Sequence, residues 1–191
     1  MGQEFEVKYA ATEEAFAALA AAWPDYKNIA METTYYDTPD GGLSARKITL
    51  RRRLENNVSV CTLKTPGQGH VRGEWELNCG DIHQAIPELC RLGAPKELES
   101  WVQPGLVPVC GARFTRRAVE ISLEGTLVEL ALDQGILLAG SRQLPFREAE
   151  VELKQGSQEV ALAFARALAA RYGLTPEPES KFRRAQKLRE G

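Results

Sequence analysis

Glu4, Glu6 and Lys8 alternate with Phe5, Val7 and Tyr9, so an extended chain carries all three charges on one face. The pattern recurs. Arg51 and Arg53 share a face within 49–54, as do Arg72, Glu74 and Glu76 within 72–77. Glu129 and Asp133 lie opposite Val128, Leu130 and Leu132; Glu148, Glu150, Glu152 and Lys154 lie opposite Ala149, Val151 and Leu153. Any one such strand reads as an ordinary solvated sheet face. A set of them, each apolar on one side and mixed acid and base on the other, points to a charged interior surface. Carboxylates there suit hard divalent cations, whereas the planar fork of Arg and the compact charge of Lys suit a polyanion.

The elements that must position these residues are mostly strands. Residues 3–10 read as a strand. Thr12 caps a helix through about Trp23, with Glu13 and Glu14 in its first turn, and Pro24 and Asp25 end it. A strand at 28–37 precedes the turn 39–42. Strands at 47–55 and 58–65 form a hairpin around Asn56 and Asn57, and another strand covers 70–78. The segment 81–92 is helical in pattern, although Pro87 should disturb it unless the helix starts late. Residues 93–108 read as irregular. Strands follow at 109–123, 126–133, 136–139 and 146–154. Ser157 caps a helix ending at Gly173, with Val160, Phe164, Ala167 and Leu168 as its apolar stripe. A Pro-rich connector, 174–179, leads to a basic helical tail. About eight strands with few helices predict an α+β fold: a closed antiparallel eight-stranded barrel, charged inside, with helices packed outside. So many interior charges require a wet tunnel in which acids and bases neutralise each other or bind ligands.

Bulk properties set limits. With 191 residues, 43% apolar and 26% charged, the chain suits one soluble domain. Net charge of −2 gives no overall footprint for nucleic acid. No run reaches transmembrane length and the N-terminus lacks a signal pattern, so a cytoplasmic protein without membrane association is expected. Cys61, Cys79, Cys90 and Cys110 form no C-x-x-C pair, which argues against zinc and for reduced thiols. Either a monomer or a homodimer is compatible with a tunnel and an apolar outer face.

The chain resembles the CYTH family, or triphosphate tunnel metalloenzymes. Glu4-Phe-Glu-Val-Lys8 matches the family's E-x-E-x-K, and Tyr35-Tyr-Asp-Thr-Pro39 its Y-x-D-T segment. Arg51-Arg-Arg53, Thr62-Leu-Lys64, Arg72-Gly-Glu-Trp-Glu76, the segment 128–135, the Glu148–Glu152 strand and Ser180-Lys181 follow in family order. The resemblance implies a single tunnel domain over 1–191. It implies that Lys8, Arg51, Arg53, Lys64, Arg72, Arg116 and Lys181 hold a small-molecule triphosphate. Arg116 is preferred to Arg113, which has opposite parity, and Arg52 should face away. Glu4, Glu6, Glu150 and Glu152, with Glu129 or Asp133, would bind two Mg²⁺ or Mn²⁺ ions, and Glu4, Glu6 and Lys8 would form the catalytic motif. The choice between Glu148–Glu150 and Glu150–Glu152 as the main acidic pair stays open. Glu74 and Glu76 read as partners of tunnel bases, and Tyr36 and Asp37 as either site or turn residues. His70 and His83 read as surface or structural.

Within the family, Trp101-Val-Gln-Pro104, 128–135 and 148–156 look most similar to bacterial inorganic triphosphatases, here as a CYTH domain without the C-terminal CHAD domain. Hydrolysis of inorganic triphosphate to pyrophosphate and phosphate is the expected activity. The alternatives are a class IV-type adenylyl cyclase, a thiamine or nucleoside triphosphatase, or a non-catalytic polyphosphate-binding module.

Overall fold

The structure is a computed structural model and describes residues 2–190. Its strands are β1 (Gly2–Ala10), β2 (Lys27–Asp37), β3 (Thr49–Glu55), β4 (Val58–Thr65), β5 (Val71–Asn78), β6 (Val107–Leu123), β7 (Thr126–Ala139), β8 (Arg142–Gln155) and the two-residue β9 (Thr175–Pro176). The helices are α1 (Glu13–Ala22), α2 (Gly42–Ala45), α3 (Ile82–Arg91), α4 (Leu98–Trp101), α5 (Gln158–Tyr172) and α6 (Lys181–Glu190). Eight strands run antiparallel in the order β5-β4-β3-β2-β6-β7-β8-β1, and β1 returns to β5 to close the barrel. The expected α+β barrel is therefore present, with β9 added to the edge of β1.

The apolar faces of the strands point outward and are covered by helices. Val7, Val128, Leu130, Leu132 and Val151 pack under α1 and α5 with Phe16, Leu19 and Leu168. Leu50, Cys61 and Leu63 pack under α3 and α4 with Ile82, Ile86, Leu89 and Leu98. Each such buried leucine contributes about 1.5–3 kcal/mol relative to exposure. Alternation then obliges the charged residues to face inward. A third cluster, Met31, Ala112, Phe114, Leu137 and Phe146, receives Ala185 of α6, which closes over one end of the tunnel.

Several local expectations are corrected. Helix α3 runs through Pro87 because Asp81 caps its start and its Ile82, Ala85, Ile86 and Leu89 face is buried; packing outweighs the lost backbone bond. Strand β7 is continuous where two strands at 126–133 and 136–139 were expected. Gly135 does not break it but permits close approach, since a Cβ there would fall 2.1 Å from the Arg113 carbonyl and 2.5 Å from Phe114. The buried stripe of α5 is Ala161, Ala165 and Leu168, leaving Ala167 exposed. The region 93–108 contains α4, and the connector 174–179 contains β9.

Candidate active site

Strand parity places Glu4, Glu6, Lys8, Arg51, Arg53, Lys64, Arg72, Glu74, Glu76, Arg116, Glu129, Glu150 and Glu152 around one cavity of about 240 Å³, with Lys154 and, from α6, Lys181. Asp133 and Glu148 lie fully buried in its wall. Arg52 turns outward to the Gly80 carbonyl at 3.0 Å, and exposed Arg113 faces Glu32 at 3.5 Å. Arg116 faces the cavity and Arg113 does not, as their opposite parity requires.

One wall is built around Glu4. Lys64 Nζ donates to both its carboxylate oxygens at 2.9 Å, and Arg72 Nε donates to Oε2 at 2.7 Å. Arg72 Nη2 continues to Glu6 Oε1 at 3.0 Å. Glu74 sits 3.2 Å from Lys64 and 3.8 Å from Arg51, as a partner of bases. Across the tunnel, Arg116 forms a fork on Asp133, with both bonds at 2.8 Å, and also reaches Glu150. Lys181 Nζ stands 2.7 Å from Asp133 and 2.8 Å from Glu150, and also contacts Glu148. Lys8 donates to the Glu179 carbonyl at 2.6 Å; burial pulls its amine below the ordinary lysine range.

Two regions of this tunnel carry weakly compensated charge of opposite sign: Arg51 and Arg53 meet carboxylates only at 3.8 and 3.7 Å, and Glu6 and Glu152 each meet a single base, Arg72 at 3.0 Å and Lys154 at 2.9 Å. At β3, Arg53 is buried, with Nε on the Thr33 hydroxyl at 3.0 Å and its nearest carboxylate, Glu55, at 3.7 Å. Burial, then Arg51 and Arg116, bring its pKa down to about 10. Arg51 Nε is buried without a hydrogen-bond partner. At β1 and β8, burial raises the Glu6 carboxyl and Glu150 adds to the effect, against Arg72 and Lys64. Burial likewise raises Glu152, with Glu4 and Glu129 adding repulsion against Lys154. The first region asks for an anion and the second for a cation.

Glu6 and Glu152, opposite each other on β1 and β8, are of the donor type that a hard divalent cation takes, and Glu4, Glu129 and Glu150 line the same cavity. Asp133, Glu148 and Glu150 offer three oxygens within 4.8 Å of one another, but Lys181 already stands among them. Its ammonium and Arg116 hold the Glu150 carboxyl well below the usual range against the effect of burial.

Other residues singled out by sequence fall elsewhere. Asp37 is a turn residue: its carboxylate accepts from the backbone N–H of Thr38 at 2.7 Å, Leu43 at 2.8 Å and Ser44 at 3.1 Å, and from the Ser44 hydroxyl. Tyr36 packs against the outer core, whereas Tyr35 stacks on Phe182 of α6 at 5.0 Å. His70 and His83 are exposed. Sequence reasoning missed Arg184, which meets Glu148 and lies 3.4 Å from Glu177. Its signal was its place three residues after Lys181 on one helix face.

The pattern of the CYTH domain family matches residues 2–185. An inorganic triphosphatase of Haemophilus influenzae is 32% identical over 137 residues, which cover 70% of this chain; the chain spans 38% of that protein's length. HpAC1 of Hippeastrum, described as a candidate adenylyl cyclase with a dominant triphosphatase activity, superposes with a TM-score of 0.68 at 19% identity, covering 98% of this chain and 96% of its own. A candidate adenylate cyclase of Bacillus halodurans superposes at 0.62 and 21% identity, covering 96% and 98%. These two likenesses establish the shared fold.

Proposed function

This chain belongs to the CYTH family, and from that premise we propose that its tunnel hydrolyses inorganic triphosphate to pyrophosphate and phosphate. The observation that carries the reading is that two weakly paired groups of opposite sign face one cavity, the bases Arg51 and Arg53 and the acids Glu6 and Glu152. A lone anion would satisfy only the first, and a lone cation only the second. A triphosphate with a divalent cation satisfies both.

In this reading Arg51, Arg53, Lys64, Arg72 and Arg116 spread positive charge along the phosphate chain, and their fork geometry fixes its direction. Lys8 supplies a further ammonium beside the reacting end. Glu6 and Glu152, with Glu4, Glu129 and Glu150 beside them, would hold Mg²⁺ or Mn²⁺. A cation held by these carboxylates would neutralise phosphate charge and acidify water. The walls hold the chain in line, so catalysis is positioning and charge neutralisation without a covalent enzyme intermediate.

Phosphate release from inorganic triphosphate is the test, with Mg²⁺, Mn²⁺ or EDTA, beside Glu6→Gln. Metal-dependent release lost in the variant supports the reading. Absence of release with either metal overturns it. Assays with ATP, scored for cyclic AMP and pyrophosphate against ADP and phosphate, then separate a cyclase from a nucleotide hydrolase.

A further inference from the structure

Beside the tunnel lies a second cavity, of about 1040 Å³, which shares Glu6, Lys8, Lys64 and Arg72 with it. Its position follows from how the barrel closes. Strand β1 pairs with β5 over Gly2–Phe5 and with β9 at Tyr9–Ala10. Between these, two separate backbone bonds hold its edge: the Glu6 N–H donates to the His70 carbonyl at 3.1 Å, and the Glu177 N–H donates to the Lys8 carbonyl at 3.0 Å. The seam is thus a window at Glu6–Lys8, where a ladder would otherwise be continuous.

Charge around the window is one-sided. Lys47, Arg166 and Arg183 line the cavity and are exposed. Of its three acids, Glu6 is met by Arg72, and Glu177 and Glu179 by Arg184 and Lys187 of α6. Among the described residues the three bases meet no carboxylate within 4.0 Å, so their charge is left facing the opening. The far end of the tunnel is the reverse: Glu55, Glu76, Glu129 and Glu152 line it against Lys154. An anion arriving there meets like charge.

We propose that the seam window is the entrance for the anionic substrate, and that Lys47, Arg166 and Arg183 form a collar that draws it toward Lys8, Lys64 and Arg72. This rests on the triphosphate reading above. An opening lined by one sign of charge raises the encounter rate of an opposite ion by about tenfold or more, and salt screens the effect beyond roughly 8–10 Å. The collar lies outside the tunnel, so it governs capture and not the chemical step.

The experiment compares wild type with the triple variant Lys47→Gln, Arg166→Gln, Arg183→Gln. A control, Lys27→Gln, Arg91→Gln, Lys96→Gln, removes the same charge from exposed positions off the cavity. With inorganic triphosphate and Mg²⁺, the collar variant should lose about tenfold in kcat/KM at low salt, keep kcat, and converge with wild type at high salt. The control should stay within about twofold. A collar variant that matches the control overturns the proposal. If wild type does not turn over triphosphate, the hydrolase reading fails on its own. The route is then judged by stopped-flow association of inorganic triphosphate: an approximately tenfold slower rate in the collar variant supports it, and equal rates overturn it.

Discussion

Lys181 Nζ lies 2.7 Å from Asp133 Oδ2, joining the first turn of the last helix to the middle of the barrel. Both groups are almost wholly buried, and Glu148 and Glu150 share the same ammonium. The lysine takes the place that a metal ion would occupy among three acids. Against the effect of burial, those acids hold Lys181 above the ordinary lysine range, so it stays charged. Lys181→Met should therefore destabilise by about 3–5 kcal/mol, as removal of one partner from a buried ion pair does. It should also create a cation site, because three carboxylate oxygens would remain within 4.8 Å. Thermal melts with and without Mn²⁺ check this: metal should raise the variant's Tm by more than the wild type's.

Asp37 shows the opposite use of a buried acid. Its oxygens close the turn after β2 and start α2, and Ser44, which they hold, accepts from Gln186 of α6 at 2.6 Å. Replacing Asp37 by Ala leaves the backbone N–H groups of Thr38 and Leu43 buried without an acceptor. The expected cost is about 2–4 kcal/mol, with Asp37→Asn milder because one acceptor oxygen remains. Urea denaturation should show a lower midpoint at unchanged slope.

Arg53 separates stability from function. Burial and two like-charged neighbours act against it, and its one carboxylate partner is distant at 3.7 Å. Arg53→Met keeps the packing on Phe114, whose ring the guanidinium now faces at 5.4 Å, and removes the strained charge. Stability should rise by about 1–2 kcal/mol, in line with the replacement of poorly paired buried charges by apolar groups. Affinity for inorganic triphosphate should fall tenfold or more, since about 1.5–3 kcal/mol of charged hydrogen bonding is lost. Calorimetric titration beside urea unfolding measures both, and a destabilised variant would refute the account.

The strands that carry alternating charge were legible because their period of two survives in any sheet with one buried face. Parity set Arg51 and Arg53 apart from Arg52 and put Arg113 and Arg116 on opposite faces, while the choice of Arg116 came from the family resemblance. What could not be read was the partner of each charge, because Glu4 meets Lys64 and Arg72 across some 60 residues of chain. The continuity of β7 was hidden for a related reason. Gly135 looks like a break in one strand and becomes a close approach when Phe114 lies beside it. Likewise α3 survives Pro87 through contacts that its own sequence does not contain.

The thiols give a pH prediction. Burial pushes Cys61 and Cys110 up to about 12, against an ordinary value near 8.5. A raised thiol pKa means less thiolate at a given pH, and the thiolate is the reactive form. At pH 8, alkylation of folded Cys61, which is fully buried, should run about a thousandfold slower than in the unfolded chain. The rate should rise about tenfold per pH unit until the thiol titrates or the protein unfolds. Iodoacetamide labelling followed by peptide mass spectrometry checks this, and rapid labelling at neutral pH would exclude the buried placement of that thiol.

Glu6 and Glu152 face each other across the β1–β8 ladder, and both carboxyls are raised by burial. A divalent cation would offset the cost of burying them charged, so they should set the affinity for divalent metal. Glu6→Gln and Glu152→Gln should each weaken Mn²⁺ binding tenfold or more, because a neutral amide keeps one ligand oxygen but loses the charge. Glu74→Gln should change it less than threefold, since Glu74 answers Lys64 and Arg51. Calorimetric titration of Mn²⁺ without substrate gives the comparison independently of turnover. Equal loss in all three variants would mean that the tunnel binds metal by its overall charge and not by the β1–β8 acids.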